Sequence, residues 1–196
     1  DAPIGLVPTM GALHEGHLEL VRAARARDGL VAVSIFVNPT QFGESADLSN
    51  YPRTLERDLE LLRGAGADYA LCPTVDDMYP FGATAAAASP RIDFGAIGGC
   101  AEAAARPGHH NGAGTAVAML LNIVRPRHVY FGQKDALQAT LMRRLVEGLH
   151  YDVGVVVCPT ARAEDGLALS SRNVRLVDGA RSLAPRVYEA LRALQA

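Results

Sequence analysis

Two imidazoles three residues apart, His14 and His17, are the first groups in this 196-residue chain that could do chemistry. They stand in "LVPTMGALHEGHLELV" (6–21), just after an apolar run and just before a helical one, with Gly11 and Gly16 beside them. A strand-to-helix junction offers backbone N–H groups and the positive end of a helix dipole, both favourable to an anion. Imidazoles placed there could donate to phosphate oxygens. Metal binding competes, but no cysteine or acidic cluster beyond Glu15 accompanies the pair, so the zinc signal is weak. Two histidines that cap a helix or sit on the surface are the plain alternative.

Two further clusters favour the anion. Lys134 in "YFGQKDALQ" is the one lysine among 19 basic residues, and a compact ammonium differs chemically from the arginine fork. An arginine-rich composition alone would also leave a stray lysine. "EDGLALSSRN" (164–173) adds Ser170, Ser171 and Arg172 in succession, two hydroxyls and a guanidinium suited to clamping an anion. All three clusters follow predicted strand ends. They would face one crevice, and the polyanion they could hold has the size of a nucleoside triphosphate.

The elements that would position them alternate. "IGLVP" (4–8), "GLVAVSIFVN" (29–38), "DYALCP" (68–73), "HVYFG" (128–132) and "DVGVVVCP" (152–159) read as strands. "HLELVRAARA" (17–26), "TLERDLELLRGAGA" (54–67), "TAVAMLLNIV" (115–124) and "ALQATLMRRLVEGL" (136–149) read as helices. In the second of these, Leu55, Leu59 and Leu62 are expected to share the inward face. Residues 75–114 read as loop, and the end is helical from about Asp178, with Pro185 as a kink or true start. Repeated β-α alternation with short connections predicts an α/β fold, a Rossmann-like parallel sheet with helices on both faces and a ligand crevice at the strands' carboxyl ends.

Composition narrows the class. A net charge of −2 supplies no basic field, which disfavours nucleic acid. No apolar run approaches the ~20 residues of a membrane span, and "DAPIGLVP" lacks the marks of a secretion signal, so a soluble, cytoplasmic protein is expected. Cys72, Cys100 and Cys158 lie far apart, without CxxC spacing, and read as partly buried thiols.

Taken in order, "VPTMGALHEGHL", "FVNPTQF", "YPRT", "MYP", "YFGQKD" and "DGLALSSRN" resemble the pantothenate synthetases, the pantoate–β-alanine ligases of the HxGH nucleotidyltransferase superfamily. The resemblance implies an enzyme that uses ATP and Mg²⁺ to activate a hydroxy acid as its acyl adenylate, after which an amine displaces AMP. His14, His17, Lys134, Ser170, Ser171 and Arg172 would hold the phosphates, with Lys134 and the histidines stabilising the transition state. Gln41 and Gln138 would hold the acid, Gly132 and Asp135 would lie against the nucleoside, and Met10 would sit near the reacting carboxyl. Gly16 would let the backbone approach the nucleotide, and Asp58 would orient the magnesium ion unless it is a plain surface charge. Partners would be small molecules, pantoate and β-alanine, and a homodimer is common in such proteins.

Departures from the family pattern concern the acid and amine more than ATP. "HHNGA" (109–113) stands where "HFRGV" is common, and Ala113, Gly114 and Ala116 are smaller than the branched residues expected along the acid pocket. A roomier acid site follows, which leaves a different hydroxy acid or amine as an alternative. Met119 replaces a common lysine, with simple drift of a solvated helix face as the plain explanation, and Leu137 replaces a common glutamine. Residues 1–173 read as the ATP- and acid-binding domain. Residues 174–196 read as a helical segment, the remnant or start of the smaller domain with which such proteins normally continue. A nucleotide-binding domain without turnover is the non-enzymatic alternative.

Overall fold

The computed structural model describes residues 2–43, 45–84, 89–95 and 104–194. Among these, five strands, β1 (Ile4–Thr9), β2 (Leu30–Ile35), β3 (Tyr69–Leu71), β4 (His128–Gly132) and β5 (Gly154–Cys158), form one sheet in the order β3-β2-β1-β4-β5. Every pairing is parallel. The helices are α1 (Glu15–Arg27), α2 (Ser45–Ser49), α3 (Leu55–Ala65), α4 (Val75–Met78), α5 (His109–Val124), α6 (Ala136–Gly148), α7 (Asp178–Leu183) and α8 (Arg186–Ala193). Strand order reverses between β1 and β4, so the crevice at their carboxyl ends is where a sheet of this kind takes its ligand.

Strand alternation divides the core. Leu6, Ala32, Val129 and Phe131 pack with Val117, Leu120 and Leu121 of α5 and with Leu141, Met142 and Leu145 of α6. On the opposite face Val7, Val31, Val33 and Tyr130 pack with Leu20, Val21 and Ala24 of α1 and Leu62 of α3. Each fully buried Leu or Val contributes roughly 1.5–3 kcal/mol relative to exposure. The wholly apolar strand sequences therefore suit a sheet covered on both sides.

The crevice starts with a proline. In a central strand a proline normally breaks the ladder. Along β1 successive residues bond to alternate neighbours: the Ile4 carbonyl accepts from Arg127 beside β4, and the Thr9 carbonyl accepts from Phe36 just past β2. Pro8 therefore turns its missing N–H toward β4, whose paired register with β1 covers Gly5 and Leu6. It sits where the two strands have already parted.

Element boundaries differ from expectation in instructive ways. α1 begins at Glu15, two residues early, because His14 is its N-cap. α5 begins at His109 rather than Thr115. Its first turns carry Gly112 and Gly114, weak helix formers retained for close packing: a Cβ on Gly112 would stand 2.6 Å from the Thr40 carbonyl carbon and 2.8 Å from the Gln41 nitrogen. A Cβ on Gly114 would meet the Phe94 ring at 2.6 Å. In α3 the inward face is rotated from the expected Leu55–Leu59–Leu62 stripe. Asp58 and Leu62 are buried and Leu55 is exposed. The short α4 lies in the stretch expected to be loop, and Pro185 separates α7 from α8. Cys72 is exposed, Cys158 is buried, and Cys100 lies outside the described residues.

Candidate active site

A cleft of about 1120 Å³ of empty space, counted out to its open mouth, lies at the carboxyl ends of β1 and β4. Its walls include Met10, His14, His17, Gln41, Gly132, Lys134, Asp135, Gln138, Ser170, Ser171 and Arg172. The three clusters that the sequence places after three separate strands thus share one cavity. An apolar wall of Phe36, Ala113, Ala116, Val117, Leu120 and Phe131 completes it.

Both histidines are held by the start of α1, and in a defined protonation form. The His14 Nδ1 accepts from the Gly16 N–H at 3.1 Å, and the His17 Nδ1 accepts from the His14 N–H at 3.3 Å. The two residues form a reciprocal capping box, with imidazole nitrogens in place of the usual oxygens. The rings stack, with centroids 4.0 Å apart. Burial lowers the pKa of His14, with Lys134 adding to the effect. Burial, His14 and Lys134 together hold His17 down to about 3. A neutral imidazole whose Nδ1 accepts must carry its proton on Nε2. The pair are therefore uncharged donors at neutral pH. Capping does not withdraw the pair from the cavity, since both imidazoles also line the cleft.

The remaining polar groups are oriented by neighbours. Lys134 leaves the end of β4 and donates to the Leu169 carbonyl at 3.2 Å, which ties it to the hairpin leading to Ser170. Ser170 accepts from the Arg172 N–H, and the Arg172 guanidinium donates to Asp47 of α2 at 3.2 Å. Asp47 also receives Arg175, and although burial opposes it, these two arginines hold its carboxyl below the usual range. At the other end Gln41 accepts from Asn38 Nδ2 at 3.0 Å and points its own amide at the Met10 sulfur. The Asn38 amide also reaches the Gly112 carbonyl, so β2, the turn after it and α5 meet at Gln41.

Two expected site residues lie elsewhere. Gly16 does not line the cleft: its N–H serves the His14 cap, and a Cβ there would press on the His14 ring at 2.9 Å. Asp58, expected to orient magnesium, is 1% exposed and lies behind the cleft wall, accepting from Ala12 N–H at 2.9 Å and Leu13 N–H at 2.8 Å. Gly114 packs on Phe94 instead of facing the cleft, whereas Ala113 and Ala116 do line it. Met119 and Leu137 pack against the core. Among the described residues no three His, Cys, Asp or Glu side chains gather as a metal site, and Asp135 is the one carboxylate on the cleft wall.

Tyr51, Arg106 and His109 line the cleft without having been singled out. The motifs "YPRT" and "HHNGA" contained Tyr51 and His109, but nothing in their spacing indicated which way they face. His109 donates from Nδ1 to the Gln41 carbonyl at 2.8 Å, and burial lowers its pKa, which leaves Nε2 as a neutral acceptor. Asn111 holds Asp93 and Phe94 and does not line the cleft.

The whole chain, residues 1–196, matches the family model described as pantoate-beta-alanine ligase. The chain belongs to that family. A pantothenate synthetase from Gluconobacter oxydans is 54% identical over 188 residues, covering 96% of this chain and 66% of the relative. One from Chloroflexus aggregans is 52% identical, covering 97% and 67%. Among solved structures, pantothenate synthetase from Thermus thermophilus superposes with a TM-score of 0.90 at 48% identity, covering 96% of this chain and 67% of that one. A pantoate-beta-alanine ligase from Francisella tularensis, complexed with beta-gamma ATP and beta-alanine, gives 0.89 at 40% identity, covering 97% and 72%. The fold is thus the Rossmann-like HxGH nucleotidyltransferase type of these pantoate ligases, and the chain spans about two thirds of the length of the relatives it matches.

Proposed function

We propose that the chain is an ATP-dependent, AMP-forming carbon–nitrogen ligase that converts pantoate to its acyl adenylate and condenses it with β-alanine to give pantothenate. The observation that carries this reading is the shared cleft: neutral Nε2–H donors from His14 and His17, with Lys134, Ser170, Ser171 and Arg172 on one side and Gln41 and Gln138 beside an apolar wall on the other. One end suits a triphosphate and the other a small hydroxy acid. That the Francisella relative was crystallised with beta-gamma ATP and beta-alanine supports the same pair of ligands here.

In this reading a pantoate carboxylate oxygen attacks the α-phosphorus of ATP, and the bond from that phosphorus to the bridging oxygen breaks, releasing pyrophosphate. The β-alanine nitrogen then attacks the acyl carbon, AMP departs with the carboxylate oxygen, and the amine gives up a proton. Both steps call for alignment and charge stabilisation. Lys134 and the imidazole donors stabilise charge on the phosphates, Ser170, Ser171 and Arg172 hold them, Gly132 and Asp135 lie against the nucleoside, and Gln41 and Gln138 hold the acid with Met10 beside its carboxyl. None of these steps needs a covalent nucleophile from the protein. With one carboxylate on the wall, the residues do not build a magnesium site of their own. Magnesium in this reading arrives on the triphosphate, and no step is assigned to it.

Residues 1–173 form the ATP- and acid-binding unit of this proposal, with the helical segment from 174 onward as an appendage to it. A cytoplasmic location and a homodimer rest on family membership, and sedimentation analysis tests the latter. The decisive assay is ATP–pyrophosphate exchange dependent on pantoate. Exchange by the native chain that falls at least about a hundredfold in Lys134→Ala supports the reading, and absence of exchange with any hydroxy acid refutes it.

A further inference from the structure

The turn between β1 and α1 is strained. Gly11 has φ +78° and Ala12 φ +49°, so two successive residues occupy the left-handed region, one of them bearing a Cβ. Such a conformation persists in a non-glycine residue only when its surroundings impose it. Here the surroundings are largely one side chain. The Asp58 carboxylate accepts from the Ala12 N–H on one oxygen and the Leu13 N–H on the other, while the Thr54 hydroxyl donates to the latter oxygen at 3.2 Å. Its own position in the first turn of α3 adds the positive end of that helix. A Cβ on Gly11 would stand 3.0 Å from the same carboxylate, so the glycine is what allows the approach.

Most amides at this junction have partners within the chain. The Gly11 N–H goes to Thr9 Oγ1, those of Ala12 and Leu13 to Asp58, that of His14 to His17, and that of Gly16 to His14. On two of these amides, those of Ala12 and Leu13, the anion is a residue of the chain. The imidazole Nε2 atoms carry the donors of the pair, and their placement depends on the His14 backbone that leaves this turn.

We infer that Asp58 is a positioning residue of the cleft: its buried carboxylate clamps the strained Gly11–Leu13 turn and so sets the His14–His17 donor pair. The kinetic part of this inference rests on the adenylation proposed above, whereas its structural part does not. Asparagine in place of Asp58 offers one acceptor where two N–H groups converge and sets an NH₂ donor against the other. The turn slackens, the His14 N–H drifts from the His17 Nδ1, and the imidazoles lose their fixed tautomer.

The test combines ¹⁵N NMR of histidine-labelled protein, its signals assigned by single His→Gln substitutions, with pyrophosphate-exchange kinetics. The native chain should show unprotonated Nδ1 and protonated Nε2 on both His14 and His17. Asp58→Asn should average these signals and lower kcat about a hundredfold, while KM for ATP, set largely by Lys134 and the Ser170–Arg172 stretch, changes less than about threefold. Thr54→Val, which removes one of the hydrogen bonds to the carboxylate, should shift the same signals and kcat in the same direction by less, and decides the matter if Asp58→Asn does not fold. Fixed tautomers, or a native kcat, in a folded Asp58→Asn protein would overturn the inference and leave Asp58 a stabilising residue only. If the native chain shows no exchange at all, the proposed function fails, and the tautomer signals alone still judge the clamp.

Discussion

His17 links the chemistry of the site to the stability of the fold. Its pKa is held down to about 3, so the native state excludes a proton that the unfolded chain takes up below its ordinary value near 6.5. Its contribution to stability is complete above pH 6.5 and drains away as pH falls toward 3. Glutamine at position 17 retains an N3 acceptor for the capping box without titrating. The melting temperature of His17→Gln should therefore fall less steeply than that of the native chain between pH 6.5 and 4, and parallel curves would contradict the assignment. The acid wall gives a second residue-level prediction. Under the proposed function the small Ala113 and Ala116 side chains on the cleft wall should admit acids bulkier than pantoate, and Ala116→Val should lower kcat/KM for such acids roughly ten- to hundredfold while sparing pantoate. Equal losses for both would show that the pocket was already full. Residue types and spacing made the cleft-lining histidines, lysine and Ser-Ser-Arg run legible, since these lie next to strand ends. Direction was not legible. Asp58 read as a magnesium-orienting carboxylate, or else a plain surface charge, because its partners, the Ala12 and Leu13 amides, are distant in sequence.

Helix α5 shows why some boundaries escaped the sequence while the strands did not. A strand covered on both faces advertises itself as an apolar run, as in "HVYFG", which coincides with β4. The start of α5 has no such signature, because its residues are chosen for fit against other elements and not for helicity. Gly112 lets the helix backbone meet Thr40 and Gln41, and Asn38 bonds its carbonyl at 3.0 Å. The consequence is functional, since Gln41 is carried on the turn that α5 touches. Gly112→Ala should improve local helix propensity yet overpack this contact, costing about 1–3 kcal/mol net. Under the proposed function the larger effect should be a rise in KM for pantoate, with KM for ATP little changed, because Lys134 and Ser170 sit on other elements. A stabilised protein with unaltered KM would mean that the turn relaxes without moving Gln41. The rotated face of α3 follows the same logic. Burying Asp58 at the turn outweighed burying Leu55, which the pattern of leucines alone could not reveal.

At the scale of the whole molecule, the β-α alternation implied a parallel sheet, and the switch point follows from the strand order found. Beyond Asn173 the helical start at Asp178 and the break at Pro185 were legible, but not the packing, since these helices turn large apolar side chains outward: Val187 is 68% and Leu191 56% exposed. These helices are nevertheless tied to the cleft by specific contacts. The Arg162 guanidinium lies 3.5 Å from the centre of the Tyr188 ring, and Arg181 pairs with Asp165 at 2.6 Å. Both Arg162 and Asp165 belong to the hairpin between β5 and Ser170, where the Leu169 carbonyl accepts from Lys134. The hairpin thus connects α7 and α8 to Lys134 and Ser170 on the cleft wall. A part-buried pair of this kind contributes about 0.5–2 kcal/mol, and Arg162 also donates to the Gly166 carbonyl, so Arg162→Ala should lower the melting temperature by a few degrees. It should also raise amide hydrogen exchange over residues 178–193 and in the hairpin together, because the two open as one unit. Faster exchange in the helices with the hairpin unchanged would show that the contact anchors the helices without steering the site.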